Sequence, residues 1–335
     1  MNKFIKVLSI SALCFSIFNV NSFKNPTKVS ADEYFYNDNG IYISKENFLK
    51  LKSLGFTDRE INFIEVEEFE KLISYSVIDT KVYTNQPLEI IETNYLMTVN
   101  NLTSSENYTD SDYRKTFTLH ASFMEEINGQ DVFFVKSTLV WDQNPIFRYD
   151  DVISISKSDN LHFLPHYLNG TQYPWVRGAI NYKETIVNKI NGEITYEYEH
   201  YVNEFFEPYD TSNIKIESNG VIGKINLPDN NAKTTTDDEG NEYYEGKTYT
   251  EIVVSLYAYF IPESLPVNTP TQVVGTFSGG YIHNNIIPLV NFNNVTISIN
   301  LPYISLSTTE EIDLTDSLSG KLTLINVFTV TEPTC

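Results

Sequence analysis

The feature that most constrains the fold is an alternation of apolar and polar side chains with a period of two. Apolar and polar residues alternate between positions 113 and 123, and Val135, Leu139 and Trp141 share one face of the next such segment. Successive side chains of a strand point to opposite faces, so this period predicts β-strands. Hairpin signals separate the segments, at Asn128-Gly129, Asn191-Gly192 and Asn219-Gly220. About a dozen strands with frequent turns predict a mainly β protein, either an antiparallel β-sandwich or a barrel-like domain.

A short segment before these strands has helical periodicity instead. Ser44 is placed to cap a helix that ends at Gly55, and Thr57 with Glu60 matches a capping box for a second helix. The predicted core-facing residues are Phe48, Leu51, Leu54, Ile61, Ile64, Phe69 and Leu72. So few residues cannot bury a core of their own, so we expect these helices to dock on the rest of the chain or on a partner.

The first 31 residues have the pattern of a secretory signal peptide. A basic start with Lys3 and Lys6 precedes a mostly apolar run, and Val29-Ser30-Ala31 supplies a cleavage site. The run is too short for a membrane anchor, which needs about 20 residues. The predicted organisation is a signal peptide (1–31), a lead-in and helical segment (32–76) and a β-rich domain (77–335), with an alternative division of the last near 227–240.

The charge balance excludes several partners. The chain carries 23 basic and 44 acidic residues, a formal net charge of −21. Cleavage would leave 19 basic and 44 acidic residues, a formal charge of −25. Such a chain repels phosphate backbones, so no nucleic-acid partner is expected. No later segment is apolar for long enough to span a membrane, so no stable span is expected after cleavage.

Two passages of the chain carry motifs that occur together elsewhere. The first consists of Ile43-Ser44-Lys45-Glu46, Leu51, Leu54-Gly55-Phe56-Thr57, Glu60-Ile61 and Glu67-Glu68-Phe69. The second consists of Leu139, Trp141, Pro145, Arg148 and Asp151-Val152-Ile153. They resemble the short helical preface and the strand–turn–strand signature of a family of exported proteins of low-GC Gram-positive bacteria. Asn144 replaces the Met that usually precedes the proline. The family has no assigned activity, so the resemblance implies export and architecture but no catalytic residue.

Trp141, Arg148 and Asp151 are predicted to be structural. Strand alternation places Trp141 inward with Val135 and Leu139, and Arg148 and Asp151 fall just after the turn at Pro145. The two charged residues could pair with each other across the turn or with Asp142 or Asp150.

The best candidate for ligand binding is an aromatic loop. Tyr167, Tyr173, Trp175 and Arg177 lie in a stretch that Pro165, Gly170 and Pro174 interrupt. These rings could offer flat faces to a sugar or a peptide, or they could close one end of the sandwich core.

Metal and catalytic motifs are weak throughout. Asp237, Asp238 and Glu239 gather oxygen ligands on a turn and are a weak calcium candidate, with a solvated hairpin tip as the alternative. His162 and His166 have zinc-site spacing, but Pro165 prevents a regular helix there. Ser278-Gly279-Gly280 resembles a nucleophile loop only superficially and is predicted to be a turn or bulge near a strand end. No catalytic residue and no cofactor are predicted.

These observations favour a secreted or surface-associated binding protein over an enzyme. The expected partner is an extracellular protein or a glycan. An extracellular hydrolase and a secreted pore-forming protein are the alternatives, the second because 294–309 has an amphipathic, Ser/Thr-rich texture.

Overall fold

A computed structural model describes residues 35–84, 115–126, 130–141, 150–266, 269–283, 296–300, 303–307 and 317–328 of the chain. The predicted signal peptide (1–31), Asp142, Pro145 and Arg148 lie outside the described residues.

The described residues form three helices and nineteen strands. The helices are α1 (Lys45–Ser53), α2 (Asp58–Phe63) and α3 (Val66–Ser74). The strands are β1 (Phe35–Tyr36), β2 (Tyr42–Ile43), β3 (Tyr75–Thr84), β4 (Lys115–Glu126), β5 (Val132–Trp141), β6 (Asp150–Lys157), β7 (Leu161–Phe163), β8 (Pro165–Leu168), β9 (Thr171–Pro174), β10 (Val176–Ile190), β11 (Glu193–Phe206), β12 (Ile214–Glu217), β13 (Gly220–Asn226), β14 (Asn231–Thr236), β15 (Glu242–Pro262), β16 (Thr271–Ile282), β17 (Thr296–Asn300), β18 (Tyr303–Ser307) and β19 (Ser317–Phe328).

Two antiparallel sheets pack face to face, which confirms the predicted β-sandwich; both sheets are open, so the barrel alternative does not apply. The large sheet has the order β11-β10-β15-β5-β4-β3, and β14 and β7 also pair with β15. The small sheet has the order β12-β13-β6-β16-β19. Asn191 and Gly192 both have positive φ, at 50° and 85°, as the two-residue turn between β10 and β11 requires.

The helical segment is capped as predicted. The Ser44 hydroxyl accepts a hydrogen bond from the Asn47 amide at the start of α1, and Gly55 follows the helix with a φ of 91°. Thr57 and Glu60 form the reciprocal capping box of α2. The segment does not stand alone, because its apolar side chains pack on the face of the large sheet that points away from the small sheet.

Two cores therefore lie on opposite faces of the large sheet. The core between the sheets includes Phe117, Leu139 and Leu256. The core under the helices joins Leu51, Ile61 and Leu72 to side chains of β4, β5 and β15, namely Met124, Val132, Phe134, Tyr257, Tyr259 and Ile261. The central strands β5 and β15 are thus buried on both faces, whereas an ordinary sandwich strand has one solvated face.

The prediction of a turn or bulge at Ser278-Gly279-Gly280 is wrong. All three residues lie inside β16, where they pair in regular register with β6 on one side and β19 on the other. At Gly279 the need for glycine comes from packing and not from a turn. A Cβ on Gly279 would lie 2.4 Å from Ser137 Oγ and 2.8 Å from Leu119 Cδ1 of the large sheet.

Candidate functional site

The predicted aromatic loop folds as a small hairpin, β8 and β9, that joins at Asn169 and Gly170. Tyr167 is 67% exposed on this hairpin. Tyr173 is half-buried, and its ring lies edge-on to Tyr209 with centroids 6.0 Å apart. These two tyrosines are accessible to a ligand, but the structure does not bring them together with the other two predicted residues on one open face.

Trp175 and Arg177 lie instead at the seam between the helical segment and the large sheet. The Trp175 ring packs on His166 and Tyr259, with centroids 4.5 and 5.7 Å away. Trp175 and His166 are half-buried and Tyr259 is buried, so the Trp175 ring lies in a packed contact and not on an open face.

The guanidinium of Arg177 binds acidic side chains of the helical segment. Its guanidinium donates to Glu65 and, at 3.0 Å, to Glu68 of the helical segment, and at 2.7 Å to Glu207. Its own burial opposes the charged form, but the surrounding acidic groups raise the pKa of Arg177, so it stays protonated. The cavity beside it is ≈ 50 Å³, whereas small-molecule sites occupy about 300 Å³ or more. Arg177 therefore anchors the helices and has little room for a sugar ring.

A second buried ion pair lies deeper in the same seam. Lys136 Nζ, which is fully buried, donates to Glu60 Oε1 at 2.8 Å and to Thr138 Oγ1 at 2.6 Å. Burial opposes ionisation of Glu60, but Lys136 and the Thr57 amide together hold the pKa of Glu60 below its ordinary value. Burial lowers the pKa of Lys136, although Glu60 counteracts it. This pair ties α2 to β5, and neither group faces solvent.

In the acidic turn between β14 and β15, the Asp237 carboxylate accepts hydrogen bonds from nearby residues of the same hairpin. Asp237 Oδ1 accepts from the amides of Glu239 and Asn241 at 3.1 and 2.8 Å, and Oδ2 accepts from the Asn241 side chain and the Tyr243 hydroxyl. Hydrogen bonds from the Asn241 side chain and amide lower the pKa of Asp237. Within the described ranges no group of three or more His, Cys, Asp or Glu side chains is arranged to hold a metal ion. Asp238 and Glu239 lie on the same exposed turn.

The corner at Trp141 is a buried polar network. Trp141 lies with Val135 and Leu139 in the core between the sheets, and its Nε1 donates to the Tyr281 hydroxyl at 3.3 Å. Tyr281 donates in turn to Asp151, and His283 Nδ1 lies 2.8 Å from Asp151 Oδ1. Asp151 and His283 are both buried, so this network joins β5, β6 and β16 inside the sandwich. Arg148, one of the predicted partners of Asp151, lies outside the described residues.

Further exposed aromatic residues lie where the large sheet extends beyond the buried residues of both cores. We call this four-stranded extension the arm; it comprises residues 183–200 of β10 and β11 and residues 231–250 of β14 and β15. Its inner face is the side continuous with the core between the sheets. Neither core includes a buried residue of the arm, and Tyr249 at the base of the arm is half-buried against the core between the sheets.

A ladder of rings runs along the inner face of the arm. Tyr196, Tyr198 and His200 are alternate residues of β11, and their rings stack with centroids 6.4 and 5.0 Å apart and interplanar angles of 24° and 28°. Tyr196 is 49% exposed. Ile190 and Tyr243, which are directly paired across β10 and β15, add exposed apolar surface at the tip.

Charged groups lie at the base of this ladder. Glu184 of β10 lies 3.2 Å from both His200 Nε2 of β11 and Lys247 Nζ of β15. Glu184 therefore links three adjacent strands and fixes the end of the ring ladder. The inner face combines fixed aromatic rings, aliphatic side chains and a small charged cluster, a composition that suits contact with another macromolecule.

Sequence reasoning missed this face. Its signal is the run Tyr196-Glu197-Tyr198-Glu199-His200, in which large rings alternate with carboxylates. The same period describes a strand whose rings enter a core, so the sequence cannot distinguish a buried aromatic face from an exposed one.

No protein-family model and no curated protein matches the chain. Among solved structures, it is similar to the membrane-inserted form of the Clostridium perfringens NetB toxin, with 10% identity over 64% of this chain and 97% of that chain and a TM-score of 0.15. It is similar to Clostridium perfringens delta-toxin, with 7% identity over 71% and 96% of the two chains and a TM-score of 0.17. It is also similar to the solved structure of a pore forming protein, with 7% identity over 75% of this chain and 96% of that chain and a TM-score of 0.16. TM-scores of this size do not establish a shared fold.

Every helix among the described residues is too short or too polar to cross a lipid bilayer.

Proposed function

We propose that the chain is an exported binding protein that contacts an extracellular protein through the inner face of the arm. The observation that carries this proposal is the ladder of Tyr196, Tyr198 and His200, which is packed within itself yet outside both cores. Large apolar side chains on a solvated strand are typical of binding surfaces. Export rests on the predicted signal peptide.

The stacking of the rings favours a protein over a glycan. Sugars pack on the open flat face of an aromatic ring, but Tyr198 has Tyr196 on one side and His200 on the other. Ring edges and hydroxyl groups are what this ladder presents, and tyrosine is enriched in protein interfaces for its combination of apolar ring and polar tip. Tyr167, which is exposed on the β8–β9 hairpin, is the better candidate for contact with a glycan.

The test is to measure binding of residues 32–335 to an array of purified extracellular proteins and to a glycan array. The double variant Tyr196→Ser/Tyr198→Ser should lose about tenfold or more in affinity for any protein bound, because interface tyrosines are frequent hot spots. Tyr167→Ser is the matched control and should bind as the unmodified chain does. Loss of binding in Tyr167→Ser alone, or binding confined to glycans, would contradict the proposal.

The extracellular hydrolase and the secreted pore-forming protein remain alternative predictions from the sequence.

A further inference from the structure

The outer edge of the arm is the backbone of β11. The order of the large sheet ends at β11, which pairs with β10 on one side. Among the described residues, no backbone hydrogen bond joins the opposite side of β11 to another strand. In an antiparallel pair every second residue directs its N–H and C=O away from its neighbour, so this edge presents a row of free donors and acceptors.

The edge is long and regular. The strand has 14 residues, and its pairing with β10 is continuous from Tyr196 to Phe206, with one irregularity nearer the tip at Asn188 and Lys189. Proline, a bulge or an inward charge commonly blocks the edge of a sheet. The regular stretch of β11 contains no proline. The opposite edge of the large sheet differs, because β3 is tied to the small sheet by Lys81, which donates to the Thr323 carbonyl at 2.6 Å.

The two faces beside this edge have different chemistry. Tyr196, Tyr198 and His200 lie on the inner face, and Glu197 and Glu199 lie on the outer face. Glu199 is paired with Lys183 at 2.7 Å, whereas Glu197 is exposed. A strand added here would thus meet carboxylates on one face and rings on the other.

From these features we infer that β11 accepts an extended, basic segment of a partner protein as an added β-strand. The partner segment places Lys or Arg on the outer face, beside Glu197, and apolar side chains on the inner face, beside Tyr196 and Tyr198. Backbone hydrogen bonds supply affinity in this mode, and alternate side chains supply specificity. The inference rests on the proposed function and names the partner's chemistry and its mode of docking.

Charge decides against a second copy of this chain as the occupant. Two β11 strands paired edge to edge about a two-fold axis keep the same face upward. In the registers centred on this stretch, Glu197 or Glu199 of one copy then lies opposite Glu197 or Glu199 of the other. Like charges directly opposite each other destabilise a strand pair. The whole chain is acidic, with a formal charge of −21, so it repels itself and attracts basic segments.

The probe is a fluorescent eight-residue peptide with lysine at every second position and valine or threonine between. We expect a saturable rise in anisotropy with residues 32–335, and about tenfold weaker binding of the same peptide N-methylated at alternate residues, because methylation removes the edge donors and keeps the charge. Glu197→Lys should weaken binding several-fold and favour a peptide with glutamate in place of lysine. Glu239→Lys, which makes the same charge change on an exposed turn, is the matched control and should have little effect.

Equal binding of the methylated peptide, or equal weakening by Glu239→Lys, would show attraction by charge alone and overturn strand addition. Absence of any peptide binding would overturn it too. Failure here is distinguishable from failure of the proposed function. If array binding still depends on Tyr196 and Tyr198, the face is a docking site but the edge is not used; if neither assay responds, both proposals fail.

Discussion

Two halves of the same strands have opposite surroundings. Near Ile180 and Leu256, strands β10 and β15 are buried between the helical segment and the small sheet. Near Ile190 and Tyr243, the same strands are exposed in the arm. The hydrogen-bonded ladder continues through both halves. Burial in this protein is therefore decided by what the rest of the chain lays against the sheet, and the uncovered half is the one available to a partner.

The largest difference between the halves should appear in the response to loss of a ring. Trp141→Ala removes a buried side chain and leaves Tyr281 without its hydrogen-bond donor, so we expect a loss of about 3–5 kcal/mol in the free energy of unfolding. Tyr198→Ser in the arm is the matched variant and should cost only about 1 kcal/mol, because it removes ring contacts on a partly solvated face and leaves no core cavity. Urea denaturation of both variants measures the difference.

Equal losses would mean that the arm is as integral to the fold as the sandwich, which would remove the basis for treating its rings as a binding surface. If the Trp141→Ala variant has the same free energy of unfolding in urea as the unmodified chain, the corner at Asp151 is not structural.

The face of the large sheet under the helical segment should also make stability sensitive to pH, through His120 of β4. Burial and the nearby Lys136 lower the pKa of His120 to about 4, whereas the unfolded chain has a histidine pKa near 6.5. The unfolded state therefore takes up the proton first as pH falls, so stability decreases from pH 6.5 to about pH 4 and the loss then levels off. The full loss is roughly 3 kcal/mol for a shift of this size.

His120→Asn should flatten this part of the stability profile, measured by urea denaturation at several pH values. Carboxylates also titrate below pH 5, so the diagnostic interval is pH 5 to 6.5. An unchanged slope there in His120→Asn would contradict the assignment.

The helices and their caps could be predicted because their signals are local. Ser44, Gly55 and the Thr57–Glu60 pair each act within a few residues, and each has the predicted role. Where the helices dock could not be predicted, since that depends on Phe134 and Tyr257 being buried on the second face of a sheet. The apolar run from Ile252 to Ile261 was a signal for it, because strands buried on both faces lose their alternation.

The candidate site was harder to predict than the fold. Tyr167 and Tyr173 are as accessible as a binding loop requires, but Arg177 is taken up by glutamates that are distant in sequence. Long-range pairing of this kind leaves no local pattern. The arm has the reverse problem, since Tyr196 and Tyr198 have the pattern of core residues and lack only the layer that would cover them.

A smaller effect is expected at Gly279, where the small sheet packs tightly against the large sheet. Gly279→Ala places a methyl group against Ser137 and Leu119, and overpacking of this kind costs about 1–3 kcal/mol. Gly223→Ala is the control, because its nearest contact would be a less severe 3.2 Å to Ile153 Cγ2. If Gly279→Ala is no more destabilising than Gly223→Ala, close sheet approach is not why glycine occupies this position.

The smallest predicted effect concerns the helices that cover the sheet. Thr57→Ala removes the side-chain oxygen that caps the Glu60 amide, at a cost of about 1 kcal/mol. Because Glu60 also holds Lys136, a loosened α2 should expose the ion pair beneath it and raise hydrogen exchange in residues 58–64. Ser44→Ala makes the same change at α1, which supplies neither member of that pair, and should raise exchange there only. If Thr57→Ala leaves exchange in 58–64 unchanged, the cap does not hold the cover in place, and the contrast between covered and uncovered halves rests on packing alone.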